Sequence, residues 1–304
     1  MSACKCNVSL SNTGKSSCEP IANVIKKIII VNIYDSTGAK NFVDTTATFN
    51  AAYFTGKLNE TDASKRWFPT PSILNVTSAK ADSVFETFAD TSKIFIHEGV
   101  RSFEGVMPNL SPAYLGKLKS VRCAEVGIYI VDKDGSLIGA TTEAGKLYPI
   151  ALDTPSWNPT LIFGTDTEKQ KINLKFDFSV DASDEDIRMI LADDMASGVS
   201  LVNLNGLIDA YVTYSSISLT SFTAKLYTSF GSVVNPITVK GLLQADFTLF
   251  KGLVSVPILT FSENMGVYTF TFAAQLTGSE ITVTPTKTGY DFSQVVANKV
   301  TLVP

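Results

Sequence analysis

Over residues 171–180 the chain alternates residue by residue. Ile172, Leu174, Phe176, Phe178 and Val180 share one side, and Lys171, Asn173, Lys175, Asp177 and Ser179 share the other. A period of two belongs to a strand with one face packed and one face meeting water or a polar partner. Shorter runs of the same kind recur along most of the 304 residues, so the chain is committed to a mainly β fold. Residues 24–34 (VIKKIIIVNIY) are β-branched and apolar, and Asp35-Ser36-Thr37-Gly38 closes them with a turn. Residues 84–88, 93–97 and 102–106 are further short runs. Residues 123–131 meet residues 136–140 across Asp132-Lys133-Asp134-Gly135, a hairpin signal.

Two stretches break the pattern. Residues 35–82 read as a long loop, in which 45–58 form either a strand or a short helix. Lys65-Arg66-Trp67-Phe68-Pro69-Thr70-Pro71 carries two prolines that exclude helix and central strand. The second stretch predicts a helix near 184–196. Ser183 is a good N-cap, Asp184, Glu185 and Asp186 suit the positive end of a helix dipole, and Ile187, Ile190, Leu191 and Met195 form a helical stripe ending before Gly198.

Composition changes after Asn205-Gly206. Residues 208–304 hold five Lys, no Arg and five acidic residues, whereas residues 1–207 hold 20 basic and 24 acidic ones. Short strands are expected at 209–214, 221–228, 236–240, 247–250, 254–261, 267–274 and 280–285. Seven short strands in about 100 residues is what a β-sandwich needs. The organisation expected is an extended arm over 1–23, a β-sandwich or barrel with one flanking helix over 24–205, and a second sandwich over 206–304.

Charge narrows the chemistry. The net charge is −4 and the pI about 5.2, so no basic face is available for tight nucleic-acid binding. A single His excludes sites built on two or more imidazoles. Cys4, Cys6 and Cys18 lie in a Cys-Lys-Cys…Cys pattern that lacks zinc-knuckle spacing, and with Cys123 they read as reduced thiols. Met-Ser-Ala before Cys4 offers no apolar signal region, and no run reaches the ~18–20 apolar residues of a membrane span. The expectation is a chain made in a cytoplasm without membrane insertion.

Each candidate site has a plainer reading that we prefer. Asp132, Asp134, Ser136 and Glu143 sit at calcium-loop positions, but Leu137 stands where the sharp turn needs Gly, so the hairpin is favoured. Gly14-Lys15-Ser16 has the end of a phosphate-binding loop without its beginning. His97 beside Glu98 could act as a base, but no motif places a nucleophile, and a structural His is favoured. Asp184-Glu185-Asp186 reads as a helix cap rather than a cation site. Trp67, Phe68 and Phe103 read as core or interface packing rather than a stacking platform. No catalytic, cofactor-binding or metal residue is assigned.

Asn264-Met265-Gly266-Val267-Tyr268-Thr269-Phe270 resembles the tyrosine corner of immunoglobulin-like domains, with Asn264 in place of Asp and Phe270 in place of Cys. The first domain's order also resembles the tail tube proteins of tailed bacteriophages. The likeness is carried by residues 83–105 (VFETFADTSKIFIHEGVRSFEG within them) and 123–139 (CAEVGIYIVDKDGSLIG). That resemblance implies homo-oligomeric rings, commonly hexameric, stacked into a tube through which viral DNA passes without specific binding, in contact with other virion proteins. It implies a virion protein that is not an enzyme and needs no cofactor, with residues 35–82 taking the place of the inter-ring loop. A capsid or capsid-decoration protein is the alternative, and a surface adhesin or carbohydrate-binding module a further one.

Overall fold

The computed structural model describes residues 13–14 and 19–304. Cys4, Cys6, Cys18, Lys15, Ser16 and most of the expected arm lie outside the described residues.

The first part of the chain contains β1 (Ile25–Asn32), β2 (Val43–Asp44), α1 (Ala51–Leu58), β3 (Phe68–Pro69), β4 (Leu74–Lys80), β5 (Val84–Thr87), β6 (Lys93–His97), β7 (Arg101–Pro108), α2 (Pro112–Lys119), β8 (Val126–Asp132), β9 (Leu137–Ala140), β10 (Lys146–Leu147), β11 (Ile150–Ile162), β12 (Lys171–Phe178) and β13 (Ile187–Ile190). Nine strands form one curled sheet in the order β13-β9-β8-β11-β12-β7-β4, with β1 along the other side of β8 and β3 beyond it. The sheet bends where β11 crosses from one half to the other. Its register to β12 shifts between Asp153 and Asn158, around Pro155, a residue that cannot donate to a ladder. Across the bend, Ile28, Ile30 and Ile128 face Leu174, Phe176 and Met107 in one core. Trp157 is fully buried there. It stacks on Phe176 at 5.1 Å, Phe176 stacks on Phe103 at 4.7 Å, and Trp157 Nε1 donates to the Leu118 carbonyl at the end of α2.

All seven residues of β8 are buried because both of its faces are covered. On the far side, Ile29, Val31, Tyr129 and Val131 pack against Phe54 and Leu58 of α1 and against Trp67. A strand buried on both faces reads as a continuous apolar run, and Ile28 to Val31 is such a run. In β12 the alternation read from the sequence holds: Ile172, Leu174, Phe176 and Phe178 are buried, while its other face is not.

Two expectations for this part are corrected. Residues 184–196 do not form a helix. Asp184–Asp186 is a single 3-10 turn on which Ser183 Oγ accepts from the Glu185 amide, and Ala192–Asp194 is another. Between them β13 pairs with β9 in register from Ile187↔Ala140 to Ile190↔Leu137. Ile187, Met189 and Ile190, three apolar residues next to an open sheet edge, gain ladder hydrogen bonds there together with Arg188, which outweighs the helical spacing. Residues 35–82 are not one long loop. They hold α1, capped by Asn50 Oδ1 accepting from the Tyr53 amide, and the edge strand β4. The flanking helices are therefore α1 and α2.

The second part contains β14 (Ile208–Ser215), β15 (Ser221–Gly231), β16 (Pro236–Thr238), β17 (Phe247–Lys251), β18 (Val254–Val256), β19 (Thr260–Asn264), β20 (Val267–Thr271), β21 (Glu280–Pro285), β22 (Tyr290–Asp291), α3 (Ser293–Ala297) and β23 (Val300–Thr301). One sheet runs β19-β20-β15-β14-β22, with β16 on the end of β15, and the other runs β18-β17-β21-β23. Lettered in chain order, these are A-B-E-D against C′-C-F-G, the strand order of an immunoglobulin-like sandwich. Phe222, Leu226 and Phe270 from the first sheet and Phe247, Ile281 and Val283 from the second fill one core. The run 254–261 is two strands in different sheets, because the chain crosses between layers at Pro257.

The motif that suggested this fold is not a tyrosine corner. That corner opens strand F, whereas Tyr268 lies on β20, strand E. Gly266 serves a two-residue hairpin instead: Met265 (φ 54°) and Gly266 (φ 83°) both adopt positive φ between paired Asn264 and Val267. The Tyr268 hydroxyl donates to the Val239 carbonyl at 2.8 Å, 29 residues upstream rather than a few.

Candidate assembly surface

Strands β4 and β7 pair as a ribbon, and beyond their ends β5 and β6 pair only with each other. At the neck Gly99 crosses the other strand so closely that a Cβ would lie 1.8 Å from the Ala81 carbonyl oxygen. The Ala81 amide donates to Val100 there. Every residue of β5 and β6 is exposed. Phe85 pairs with Phe95, their rings 5.8 Å apart, and alternation puts Ile94 and Ile96 on the opposite face. Ile94, Phe95 and Ile96 are each at least half exposed, at 56%, 50% and 54%. A two-stranded hairpin alone is marginal in water, and this one carries apolar side chains on both faces.

The base of this ribbon is fixed by charge. Arg101 Nε and Nη2 donate to the two Asp184 oxygens at 3.1 and 3.0 Å, and Lys80 Nζ lies 3.1 Å from the same carboxylate. The Arg101 hydrogen bonds, with Lys80 beside them, hold the Asp184 carboxyl below the usual carboxylate range. The acidic turn at 184–186 is thus a brace for the ribbon.

The other candidate residues are dispersed. His97 ends β6 on the hairpin, and its Nδ1 lies 2.7 Å from the Glu98 carbonyl oxygen, not the carboxylate. Glu98 is engaged by Lys80 and Ser83. Asp132 Oδ1 accepts from the Asp134 and Ser136 amides, and Oδ2 accepts from the Asn23 amide, so its oxygens organise the β8–β9 turn. Glu143 is turned to Lys146 and Tyr148. Among the described residues no group of three or more His, Cys, Asp or Glu is arranged to hold a metal ion, and no helix is long and apolar enough to cross a membrane. Trp67 and Phe103 are buried in the two cores of the first part, and Phe68 is exposed.

Phe68 borders a cleft of about 760 Å³ between the nine-stranded body and the C-terminal sandwich. Its walls are largely apolar, with Trp67, Pro71, Leu110, Tyr114 and Phe230 among them. Two ion pairs tie the body to the sandwich at its rim. Arg66 Nη1 lies 2.6 Å from Asp291 Oδ2, and Lys117 Nζ lies 2.6 Å from Asp209 Oδ2. Burial raises the pKa of Asp291, but hydrogen bonds from Ser293 and Arg66 outweigh it and keep the carboxyl below its usual range. Behind the cleft Lys27 is 1% exposed, and its Nζ donates to the Leu204 carbonyl at 2.6 Å, where the chain leaves the body. The cleft had no signal in the sequence, since its walls come from segments more than 200 residues apart.

No family model matches the chain, and no curated protein is similar to it.

Proposed function

We propose that this chain is a structural protein of a tailed-bacteriophage virion, assembling with itself into stacked rings that form the tail tube. The observation that carries the reading is the β5–β6 hairpin, which presents Phe85, Ile94, Phe95 and Ile96 to solvent beyond the sheet that anchors it. A monomer gains nothing from such an arm, and a neighbour that covers it removes both its apolar surface and its free strand edges from water. The hairpin falls within residues 83–105, the segment that carries most of the resemblance to tail tube proteins. In this reading the hairpin, rather than residues 35–82, is the element that reaches a neighbour. The acidic balance suits a wall that lets DNA pass, because it repels phosphate rather than holding it. No side chain is given a catalytic role, and the site of action is the virion, after synthesis in the bacterial host.

The test is the assembly state of the purified full chain by light scattering and negative-stain microscopy over a wide concentration range. Tubes of uniform bore are expected. Phe85→Ser with Phe95→Ser, both on exposed positions, should give a folded monomer. A wild-type chain that stays monomeric at high concentration overturns the proposal, and closed shells would move it to the head of the virion.

A further inference from the structure

The cleft and the hairpin lie at opposite ends of the same two strands. Pro71 leads from the cleft into β4, and β7 returns through Leu110, which also lines it. Between Pro71 and the hairpin end at Phe88 the strand path covers roughly 55 Å, at about 3.3 Å per residue. A chain cannot fold its own hairpin back into its own cleft without breaking the β4–β7 ribbon. A second copy, aligned head to tail, can bring its hairpin there.

The two surfaces match in chemistry. The cleft offers an apolar trough and the hairpin offers apolar side chains on both faces. Residues 82–98 carry Asp82, Glu86, Asp90 and Glu98 against Lys93 alone. The shelf beside the cleft, α2 and the turn Ser120–Cys123, carries Lys119 and Arg122, both exposed, and no acid, while its Lys117 is already paired with Asp209. An acidic arm and a basic shelf steer each other into register.

We propose that the cleft between body and sandwich is the receptor for the hairpin of a second copy of this chain. The proposal rests on the assembly reading above and deepens it by naming the surface that the arm occupies. The contact is heterologous, one surface meeting a different one, so it propagates rather than closing as a two-fold pair. It also gives the C-terminal sandwich a task, since the receptor has only one wall without it.

Cys123 provides the test. It is free and exposed, on the turn whose Ser120 and Val121 line the cleft. In the full-length chain with Cys4, Cys6 and Cys18 replaced by Ser, Ala89→Cys places a second thiol at the hairpin end. Treating the assembled protein with a short bismaleimide should give a ladder of covalent dimers and higher oligomers. The chain with Cys123 alone should give none. In parallel, Lys119→Glu with Arg122→Glu should raise the concentration needed for assembly by at least about tenfold, and Glu86→Lys with Asp90→Lys should restore it in the combined variant. Assembly that proceeds without the ladder and without charge rescue overturns the receptor and leaves the assembly reading standing. A wild-type chain that never assembles overturns both.

Discussion

Lys27 makes stability depend on pH in an unusual direction. Its amine is buried on β1, and burial lowers its pKa from 10.5 to about 8. In the unfolded chain the amine returns to its ordinary value near 10.4. Between these two values the unfolded state binds more protons than the folded one, so the folded state gains stability as pH rises. Raising the pH from about 7.5 to about 9.5 should add about 2 kcal/mol, from those two pKa values at 1.36 kcal/mol per unit. The assay is urea unfolding of the full chain, followed by tryptophan fluorescence. Trp67 and Trp157 both belong to the nine-stranded body, so the signal reports that body alone. Burial raises the tyrosine pKa values, Tyr53 to about 12, so those groups oppose the effect only above about pH 10, beyond the range measured. Lys27→Met should remove most of the rise while leaving the transition cooperative, the remainder coming from Lys57, whose pKa burial also lowers. A wild-type midpoint that stays flat or falls between pH 7.5 and 9.5, or a Lys27→Met chain that keeps the full rise, refutes the argument.

Three further outcomes are expected. Trp157→Ala removes one end of the Trp157–Phe176–Phe103 stack and the bond to Leu118, and should cost the body about 3–5 kcal/mol in urea unfolding followed by far-UV circular dichroism. Gly99→Val puts a side chain into the Ala81 carbonyl at the hairpin neck. Hydrogen exchange should then accelerate at Ala81 and through residues 84–97 while protection of β8 is unchanged. Tyr268→Phe leaves the Val239 carbonyl without its donor, and should lower the stability of the C-terminal sandwich by about 1–2 kcal/mol in calorimetry with the tryptophan transition unmoved.

The strands were legible wherever one local pattern decided them. Ile172 to Phe178 alternate, Asp132-Lys133-Asp134-Gly135 has turn chemistry, and 280–285 reads as a strand and is one. Sequence reasoning failed where a distant partner decided. Ile187 and Ile190 have helical spacing, but the free edge of β9 makes them a strand. Tyr268 sits two residues after a Gly in both a tyrosine corner and a type I′ hairpin, and only the strand order separates the two. The sandwich itself is legible from its run of short strands, whereas the motif that likened it to immunoglobulin domains does another job. The hairpin was readable as two strands, but its projection was not. Exposure depends on what fails to pack against Ile94 and Ile96, and no local pattern reports that.

The pairing of β1 with β8 also sets an order of events on the ribosome. Ile29 opposes Tyr129, 100 residues later. At about 5–20 residues per second, the IKKIIIVN segment waits on the order of 5–20 s after its synthesis before its partner strand exists. During that time it is an apolar, β-branched segment with both edges open, the kind that joins like segments on other nascent chains. A strand largely buried in the finished body is thus a hazardous one during its synthesis. Expression conditions that slow translation through residues 32–126 should raise the insoluble fraction before they affect any property of the folded protein.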